Sequence, residues 1–223
     1  MREIILDTET TGLDPASGHR IIEIGAVEVF HKIRTGKFFH AYLNPDRDVP
    51  DEAFRIHGIS TQFLKDKKKF VDIADEFLEF IAGDTLVIHN AKFDLKFLNY
   101  ELRKVAKEDL LFSRVIDTLD MARRQFPGSP ANLNALCKRF NIDLSAREKH
   151  GALLDSELLA EVYLWLCGGT QPQMIEQNIE EAGSLENKLY DVIRKARSKR
   201  AFEVSEEDLN NHHEFMKKIK ANS

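Results

Sequence analysis

The hydrophobic and polar positions of the chain change their period part-way along it, from the alternation of strands to the spacing of helices. Residues 3–7 form a short apolar run, residues 20–30 alternate and are rich in Ile and Val, and residues 37–45 close at Asn44-Pro45. Such segments are typical of strands, and three in succession with short turns predict an antiparallel meander. The first part of the chain is therefore predicted to consist of strands.

Helices and short strands alternate in the stretch that follows, where apolar residues recur at helical spacing. The predicted elements are a helix over 70–81 ended by Gly83, a strand over 85–89, a helix over 91–105, a short strand at Val115-Ile116, helices opened by Asp117 with Asp120 and by Asn132, and a last helix over 152–166. A strand meander followed by this alternation predicts an α/β layer fold with a mixed sheet.

The pattern changes again after Gly168-Gly169. Residues 169–184 lack aromatic residues and are rich in Gln and Glu, which predicts a linker. Residues 185–223 regain helical periodicity and include a basic stretch. We therefore predict a domain over 1–168, a linker and a helical tail. The tail is too small to hold a core alone, so we expect it to bind a partner.

Composition narrows the class of protein. The chain has 223 residues, 43% hydrophobic and 31% charged, which is typical of a soluble globular protein. No apolar run approaches the roughly 20 residues of a membrane span, and the N-terminus opens directly into a predicted strand, so we expect a cytoplasmic protein without a signal peptide. Cys137 and Cys167 lack metal-site spacing and are expected to be buried thiols.

The net charge of −5 bears on the partners. A protein that grips long nucleic acid unaided normally carries a basic face. An acidic chain can still act on nucleic acid through a short contact at its active site, where metals or a partner supply positive charge.

Four acidic residues and one histidine stand at the edges of apolar segments. Asp7 and Glu9 occur in IILDTETTG, Asp94 in LVIHNAKFD, and His150 and Asp155 in HGALLD. Carboxylates that converge on one cleft repel each other unless cations hold them together. The set therefore predicts metal-assisted hydrolysis of a phosphodiester.

The spacing of these residues suits that chemistry. Asp7 and Glu9 are two apart, so on a strand both side chains leave the same face. Asp94 lies early in a helix after a buried strand. His150 and Asp155 are five apart and can converge only if His150 lies on the loop before the helix.

The expected cofactors are two divalent ions about 4 Å apart. Oxygen ligands favour Mg²⁺ or Mn²⁺ over zinc, and a histidine that is not a ligand would take the proton of the attacking water. Taken singly, each residue has an ordinary explanation: a strand-end turn, a helix N-terminal acid or a surface histidine. Their joint occurrence carries the hypothesis.

The motifs DTETTG, HNAKFD and HGALLD, in that order, resemble those of the DEDD exonuclease superfamily in its His-containing subgroup, and most of all the epsilon proofreading subunits of bacterial DNA polymerase III. The resemblance covers residues 1–168. It implies a ribonuclease-H-like three-layer fold with a mixed central sheet. It also implies 3′→5′ hydrolysis of a single-stranded or frayed DNA 3′ end, which releases nucleoside 5′-monophosphates and proofreads for a replicative polymerase.

The same resemblance implies roles for individual residues. Asp7, Glu9, Asp94 and Asp155 would hold the two metals, with His150 as the general base. Glu9 and Asp155 would also touch the substrate.

The terminal nucleotide would be contacted by Glu52 and His57, and admitted by Thr10 and Gly12. Without the resemblance, Glu52 is a solvated helix acid, His57 a turn histidine, and Thr10 and Gly12 part of a turn. Phe93 is a core residue or an aromatic that stacks on a base.

Two further residues are candidates for orienting the metal ligands without binding the metal themselves. They are Asn90, which precedes Asp94, and Asp117, which follows a short strand. A helix N-cap explains Asp117 equally well.

The tail resembles the segment that tethers this family's nuclease to the polymerase alpha subunit. A solvated charge run and a DNA-binding tail are alternatives for residues 185–223. Gln171 and Met174 resemble a sliding-clamp-binding peptide, but Glu176 stands where that peptide has a large apolar residue, so we expect weak or no clamp contact. Whether a small accessory subunit binds the nuclease domain is left open.

Two other functions remain as alternatives. A stand-alone exonuclease of the same superfamily would act on RNA 3′ ends and would need no tether. A catalytically silent module would only stabilise the polymerase.

Overall fold

The computed structural model describes residues 1–145, Arg147 and 149–168. The predicted linker, the helical tail and the possible clamp peptide lie outside the described residues, so those predictions stay open. In the described part of the chain, no helix is long and apolar enough to cross a membrane.

The strands are β1 (Arg2–Thr10), β2 (Ile21–Phe30), β3 (Ile33–Tyr42), β4 (Thr85–Ile88) and β5 (Val115–Asp117). The helices are α1 (Asp51–His57), α2 (Thr61–Leu64), α3 (Phe70–Ile81), α4 (Ala91–Lys104), α5 (Thr118–Gln125), α6 (Leu133–Arg139) and α7 (Ala152–Leu166). Short 3₁₀ turns lie at Pro15–Ser17 and Phe112–Arg114.

One mixed sheet organises these elements. Its strand order is β3-β2-β1-β4-β5. The meander of β1, β2 and β3 is antiparallel, whereas β4 and β5 run parallel to β1. The predicted mixed sheet is confirmed, and β1 lies at its centre.

Alternation along β1 divides the core between the two faces of the sheet. Ile4 and Leu6 pack into a cluster with the apolar faces of α3 and α4. Ile5 packs into a second cluster with residues of α5, α6 and α7. The result is three layers, with helices on both sides of the sheet, as predicted.

Gly25 on β2 brings α7 close to the sheet. Gly25 pairs with Asp7 in the β1–β2 register. A Cβ atom at this glycine would collide with the backbone of Ala152 and Leu153 at the start of α7. The Ser156 hydroxyl also donates a hydrogen bond to the Gly25 carbonyl at 2.9 Å. The first turn of α7 is thereby placed against the centre of the sheet.

The structure corrects several details of the sequence analysis. It contains two short helices, α1 and α2, where no element was predicted. α3 ends as predicted at Ile81, but Ala82 and not Gly83 takes the positive φ (40°) of the cap. Of the two thiols, Cys137 is buried as expected, whereas Cys167 is exposed.

Candidate active site

Asp7, Thr8 and Glu9 lie at the C-terminal end of β1. Because side chains alternate along a strand, Asp7 and Glu9 share the face of Ile5, which α7 covers, and Thr8 points to the face of α4. Thr8 donates two hydrogen bonds to Asp94 Oδ1, from its hydroxyl at 2.7 Å and from its backbone N–H at 3.1 Å. The strand therefore fixes Asp94 directly.

Asp155 and His150 approach from the other side. Asp155 lies in the first turn of α7, and its side chain is 4% exposed. His150 lies on the loop before α7, as its spacing requires, and its backbone N–H donates to the Ile56 carbonyl at 3.3 Å. Ligand atoms of Glu9, His150 and Asp155 all lie within 4.8 Å of one another.

Burial and mutual repulsion raise the pKa values of three carboxyl groups. The pKa of Glu9 rises to about 8 because of burial and the charges of Asp155 and Glu23. Burial raises the pKa of Asp94 to about 7, although the hydrogen bonds from Thr8 oppose the change. Burial, and then Asp94, raise the pKa of Asp7 well above its usual range. These carboxyl groups are unfavourable as anions unless a cation neutralises them.

Asp155 behaves differently because an arginine holds it. Burial alone would raise its pKa, but the hydrogen bonds and charges of Arg147 and His150 outweigh burial and lower it. Arg147 donates to both carboxylate oxygens of Asp155 at 2.6 Å and contacts His150 Nδ1 at 3.0 Å. This arginine was not among the predicted site residues.

The described residues fit a hard divalent cation. The site offers the oxygens of Asp7, Glu9, Asp94 and Asp155, with one imidazole beside them. Oxygen-rich sets of this kind suit Mg²⁺, Mn²⁺ or Ca²⁺ better than softer metals. Because burial and repulsion raise the pKa values of three of the carboxyl groups, a bound cation would stabilise their ionised forms.

A cavity of about 520 Å³ opens beside the cluster. Five of the predicted substrate residues line it, together with Glu9: Thr10, Gly12, Glu52, His57 and Phe93. Leu13 and His19 line it as well and were not predicted. The structure thus brings the nucleotide-contact candidates together next to the carboxylates.

His57 presents an unpaired polar atom in this region. The side chain is buried, and its Nδ1 accepts a hydrogen bond from the Ile59 N–H at 2.9 Å. Its Nε2 is buried and has no hydrogen-bond partner among the described residues. Burial lowers the pKa of His57, so the ring is neutral near pH 7 and Nε2 carries the proton. A buried, unsatisfied donor beside a cavity is suited to a ligand oxygen.

Phe93 and Asp117 each make the contacts expected for both of the roles considered for them. Phe93 packs on the Phe97 ring, with 5.1 Å between centroids, and also lines the cavity. Asp117 caps α5 through the Leu119 N–H and also accepts from the N–H groups of Asn90 and Ala91. It therefore fixes the start of α4, one turn before Asp94.

Glu23 is a further buried group that the sequence analysis did not single out. It lies opposite Glu9 in the β1–β2 register and is 2% exposed. Its carboxylate accepts a hydrogen bond from the Ala152 N–H at 3.1 Å and contacts His40 Nε2 at 2.7 Å. Its position as one of two glutamates inside the apolar run IIEIGAVEV was the only available signal.

Comparison with known proteins bears directly on this site. Residues 4–163 match the RNase T exonuclease family. The chain is 53% identical over 224 residues to DNA polymerase III subunit epsilon of Rickettsia typhi, covering 98% of this chain and 97% of the relative. The chain belongs to this exonuclease family, among the DNA polymerase III epsilon subunits. It is therefore a metal-dependent 3′→5′ exonuclease.

Other relatives agree. The epsilon subunit of Salmonella typhimurium is 47% identical over 219 residues, covering 95% of this chain and 90% of the relative. That of Escherichia coli K12 is 52% identical over 176 residues, covering 75% and 72%.

Solved structures of exonucleases share the fold. Exonuclease X in complex with 5′ overhanging duplex DNA has a TM-score of 0.57 at 27% identity, covering 74% of this chain and 90% of that one. The nuclease domain of 3′hExo bound to rAMP has a TM-score of 0.63 at 21% identity, covering 75% and 92%. The predicted ribonuclease-H-like fold is confirmed.

Proposed function

We propose that this exonuclease removes nucleotides from single-stranded or frayed DNA 3′ ends and proofreads for a replicative polymerase. Hydrolysis of the terminal phosphodiester releases nucleoside 5′-monophosphates. The observation that carries the proposal is the convergence of four carboxylates and His150 beside a cavity lined by His57, whose buried Nε2 has no hydrogen-bond partner among the described residues.

We propose Asp7, Glu9, Asp94 and Asp155 as the ligands of two Mg²⁺ or Mn²⁺ ions. Such ions, when bound, activate the attacking water and stabilise the charge that develops on the phosphate. A ring nitrogen of His150 takes the proton of that water. His150 is suited to this role because its side chain is 45% exposed and its loop approaches the carboxylates.

The cavity binds the terminal nucleotide in this proposal. His57 Nε2–H donates to a sugar or phosphate oxygen, and Glu52 accepts from a hydroxyl. Thr10 and Gly12 leave room for the base and sugar, and Phe93 offers a ring edge or face to the base. A mispaired end enters more readily than a paired one because it has already lost pairing and stacking free energy.

The partners are proposed on the basis of the relatives. These are subunits of DNA polymerase III. We propose that residues 185–223 bind the polymerase alpha subunit, that any clamp contact near Gln171 and Met174 is weak, and that a small accessory subunit remains a further candidate. A replication subunit of this kind acts in the bacterial cytoplasm.

Substitution of Asp7 tests the catalytic assignment. We expect Asp7→Ala to lower hydrolysis of a 5′-labelled single-stranded oligonucleotide by about 10³-fold or more, because a metal ligand is lost. Circular dichroism should show a folded protein, since the change removes a repelling buried carboxyl group. Asp120→Ala, an aspartate on α5 outside the cluster, is the matched control and should retain activity.

Two further experiments distinguish the proposed function from its alternatives. EDTA should abolish hydrolysis and Mg²⁺ or Mn²⁺ should restore it; activity that survives EDTA or the loss of Asp7 contradicts the proposal. DNA and RNA 3′ ends of equal sequence are compared in the same assay, and a clear preference for RNA favours the stand-alone exoribonuclease. A fully folded but inactive wild-type chain favours the silent structural subunit.

A further inference from the structure

Arg147 occupies an unexpected place for a cation in a proposed metal site. Its guanidinium is 5% exposed and donates to both oxygens of Asp155, which is 4% exposed, in a bidentate pair with two contacts of 2.6 Å. Paired, buried geometry of this kind is the strongest form of ion pair available to an arginine. The guanidinium therefore supplies the charge that Asp155 needs when no metal is bound.

The same guanidinium engages His150. Arg147 Nη2 lies 3.0 Å from His150 Nδ1, and the same ring nitrogen lies 3.4 Å from Asp155 Oδ2. Arg147, His150 and Asp155 therefore form one contact group at the start of α7.

The loop is held at other points, so Arg147 can leave Asp155 without releasing His150. The His150 N–H binds the Ile56 carbonyl at 3.3 Å, and Lys149 Nζ lies 5.2 Å from the centre of the Phe54 ring. Arg147 also has a second acceptor available, since its Nη1 donates to the Asn134 side chain on α6.

We propose that Arg147 is a positioning residue that competes with a divalent ion for Asp155: its guanidinium holds both carboxylate oxygens and gives them up when the ion binds. This inference rests on the proposed role of Asp155 as a metal ligand. Its consequence is that an ion binds Asp155 only at the expense of this ion pair, so Arg147 lowers the affinity of the site for metal.

Mn²⁺ affinity distinguishes this role from a purely structural one. We expect Arg147→Gln to bind Mn²⁺ about tenfold more tightly than the wild type in isothermal titration calorimetry, because the ion no longer competes with the guanidinium. Arg147→Lys, which keeps the charge but not the bidentate geometry, should bind with intermediate affinity. A residue that only supported the fold would weaken Mn²⁺ binding when removed.

The melting temperature gives a second readout on the same samples. Arg147→Gln should melt below the wild type in EDTA and recover more than the wild type when Mn²⁺ is added. Arg34→Gln is the matched control because it removes a half-exposed arginine–glutamate pair with Glu157, outside the cluster. It should leave Mn²⁺ affinity unchanged.

The outcomes separate this inference from the proposed function. If the wild type binds Mn²⁺, Asp155→Asn weakens binding and Arg147→Gln binds no more tightly than the wild type, the inference is overturned and the metal site stands. If the wild type and Asp155→Asn bind Mn²⁺ equally, the ligand assignment is wrong and the inference falls with it. If Arg147→Gln does not fold in EDTA, the affinity of Arg147→Lys decides.

Discussion

The two sides of the active site are built in different ways. Asp7 and Glu9 lie on the central strand, and Asp94 is held to that strand by both the hydroxyl and the N–H of Thr8. Asp155 and His150 depend on a loop and a helix end, where Arg147 makes the main side-chain contacts. We call these the strand side and the loop side.

The difference is one of geometry and charge. On the strand side, burial and repulsion raise the carboxyl pKa values, so these groups favour a neutralising cation. On the loop side, an internal cation keeps Asp155 ionised. The strand side is thus fixed by the backbone of the sheet, whereas the loop side is held by one arginine side chain.

Among the substitutions that compare the two sides, we expect the largest loss of activity on the loop side. His150→Gln should lower kcat by about 10³-fold, within the range for loss of a general base. Steady-state kinetics on single-stranded DNA with saturating Mn²⁺ is the measurement. Mn²⁺ affinity should change much less than activity; a parallel loss of both would show that His150 acts as a ligand and not as the base.

Gly25 joins the two sides, and its substitution should separate them. Gly25→Ala places a methyl group against the backbone of Ala152 and Leu153, so α7 must shift away from Asp7. We expect activity to fall about 10²-fold, since displacements near 1 Å have such effects. Gly36→Ala, on β3 with open space around it, is a control for helix displacement; its positive φ permits only a loss of stability. An active, wild-type-like Gly25→Ala enzyme would contradict the proposed close approach.

A substitution on the strand side should have a smaller effect. Thr8→Val removes one of the two Thr8 hydrogen bonds to Asp94 and leaves the backbone N–H in place. We expect kcat or metal affinity to fall about tenfold, as for other groups that orient metal ligands. Thr35→Val, whose hydroxyl contacts Glu28 far from the cluster, serves as the control. Equal effects of the two substitutions would show that Thr8 has no special role.

The smallest effect is a dependence of stability on pH. The pKa values of Glu9 and Asp94 are raised to about 8 and about 7, so these groups bind protons in the folded protein that the unfolded chain has already lost. Metal-free stability must therefore fall as pH rises through this window. Between pH 6 and pH 9 in EDTA, we expect the melting temperature to fall by roughly 10 °C.

Added Mg²⁺ should flatten that dependence, and Glu9→Gln should reduce it, since each removes part of the unfavourable charge. A melting temperature that rises with pH in EDTA would be inconsistent with the strand side as described.

The two sides also differ in how far the sequence predicts them. The mixed sheet, α3 to α7 and the five catalytic candidates follow from apolar runs and from polar residues at their ends. α1 and α2 were missed because seven and four residues give too little periodicity. Pro50, the acidic first turn and Gly58 were nevertheless a usable signal for α1.

Contacts between distant residues could not be predicted in the same way. Glu23 and Ala152 are 129 positions apart, and their hydrogen bond exists only once α7 lies on the sheet. Arg147 looks like an ordinary loop arginine in the sequence; only the path of the loop turns it toward Asp155. Thr8 gives no separate signal in the sequence because it lies between two acidic residues.

The two thiols, finally, allow the distance between a spin label and the proposed metal site to be measured. Burial raises the pKa of Cys137 to about 11, so this thiol is both inaccessible and protonated at neutral pH. Cys167 is exposed and directly follows α7, twelve residues after Asp155. A maleimide spin label would therefore select Cys167, about 18 Å along the helix axis from the proposed ligand. That separation lies within the range over which a paramagnetic Mn²⁺ ion alters the relaxation of a nitroxide, without any engineered cysteine.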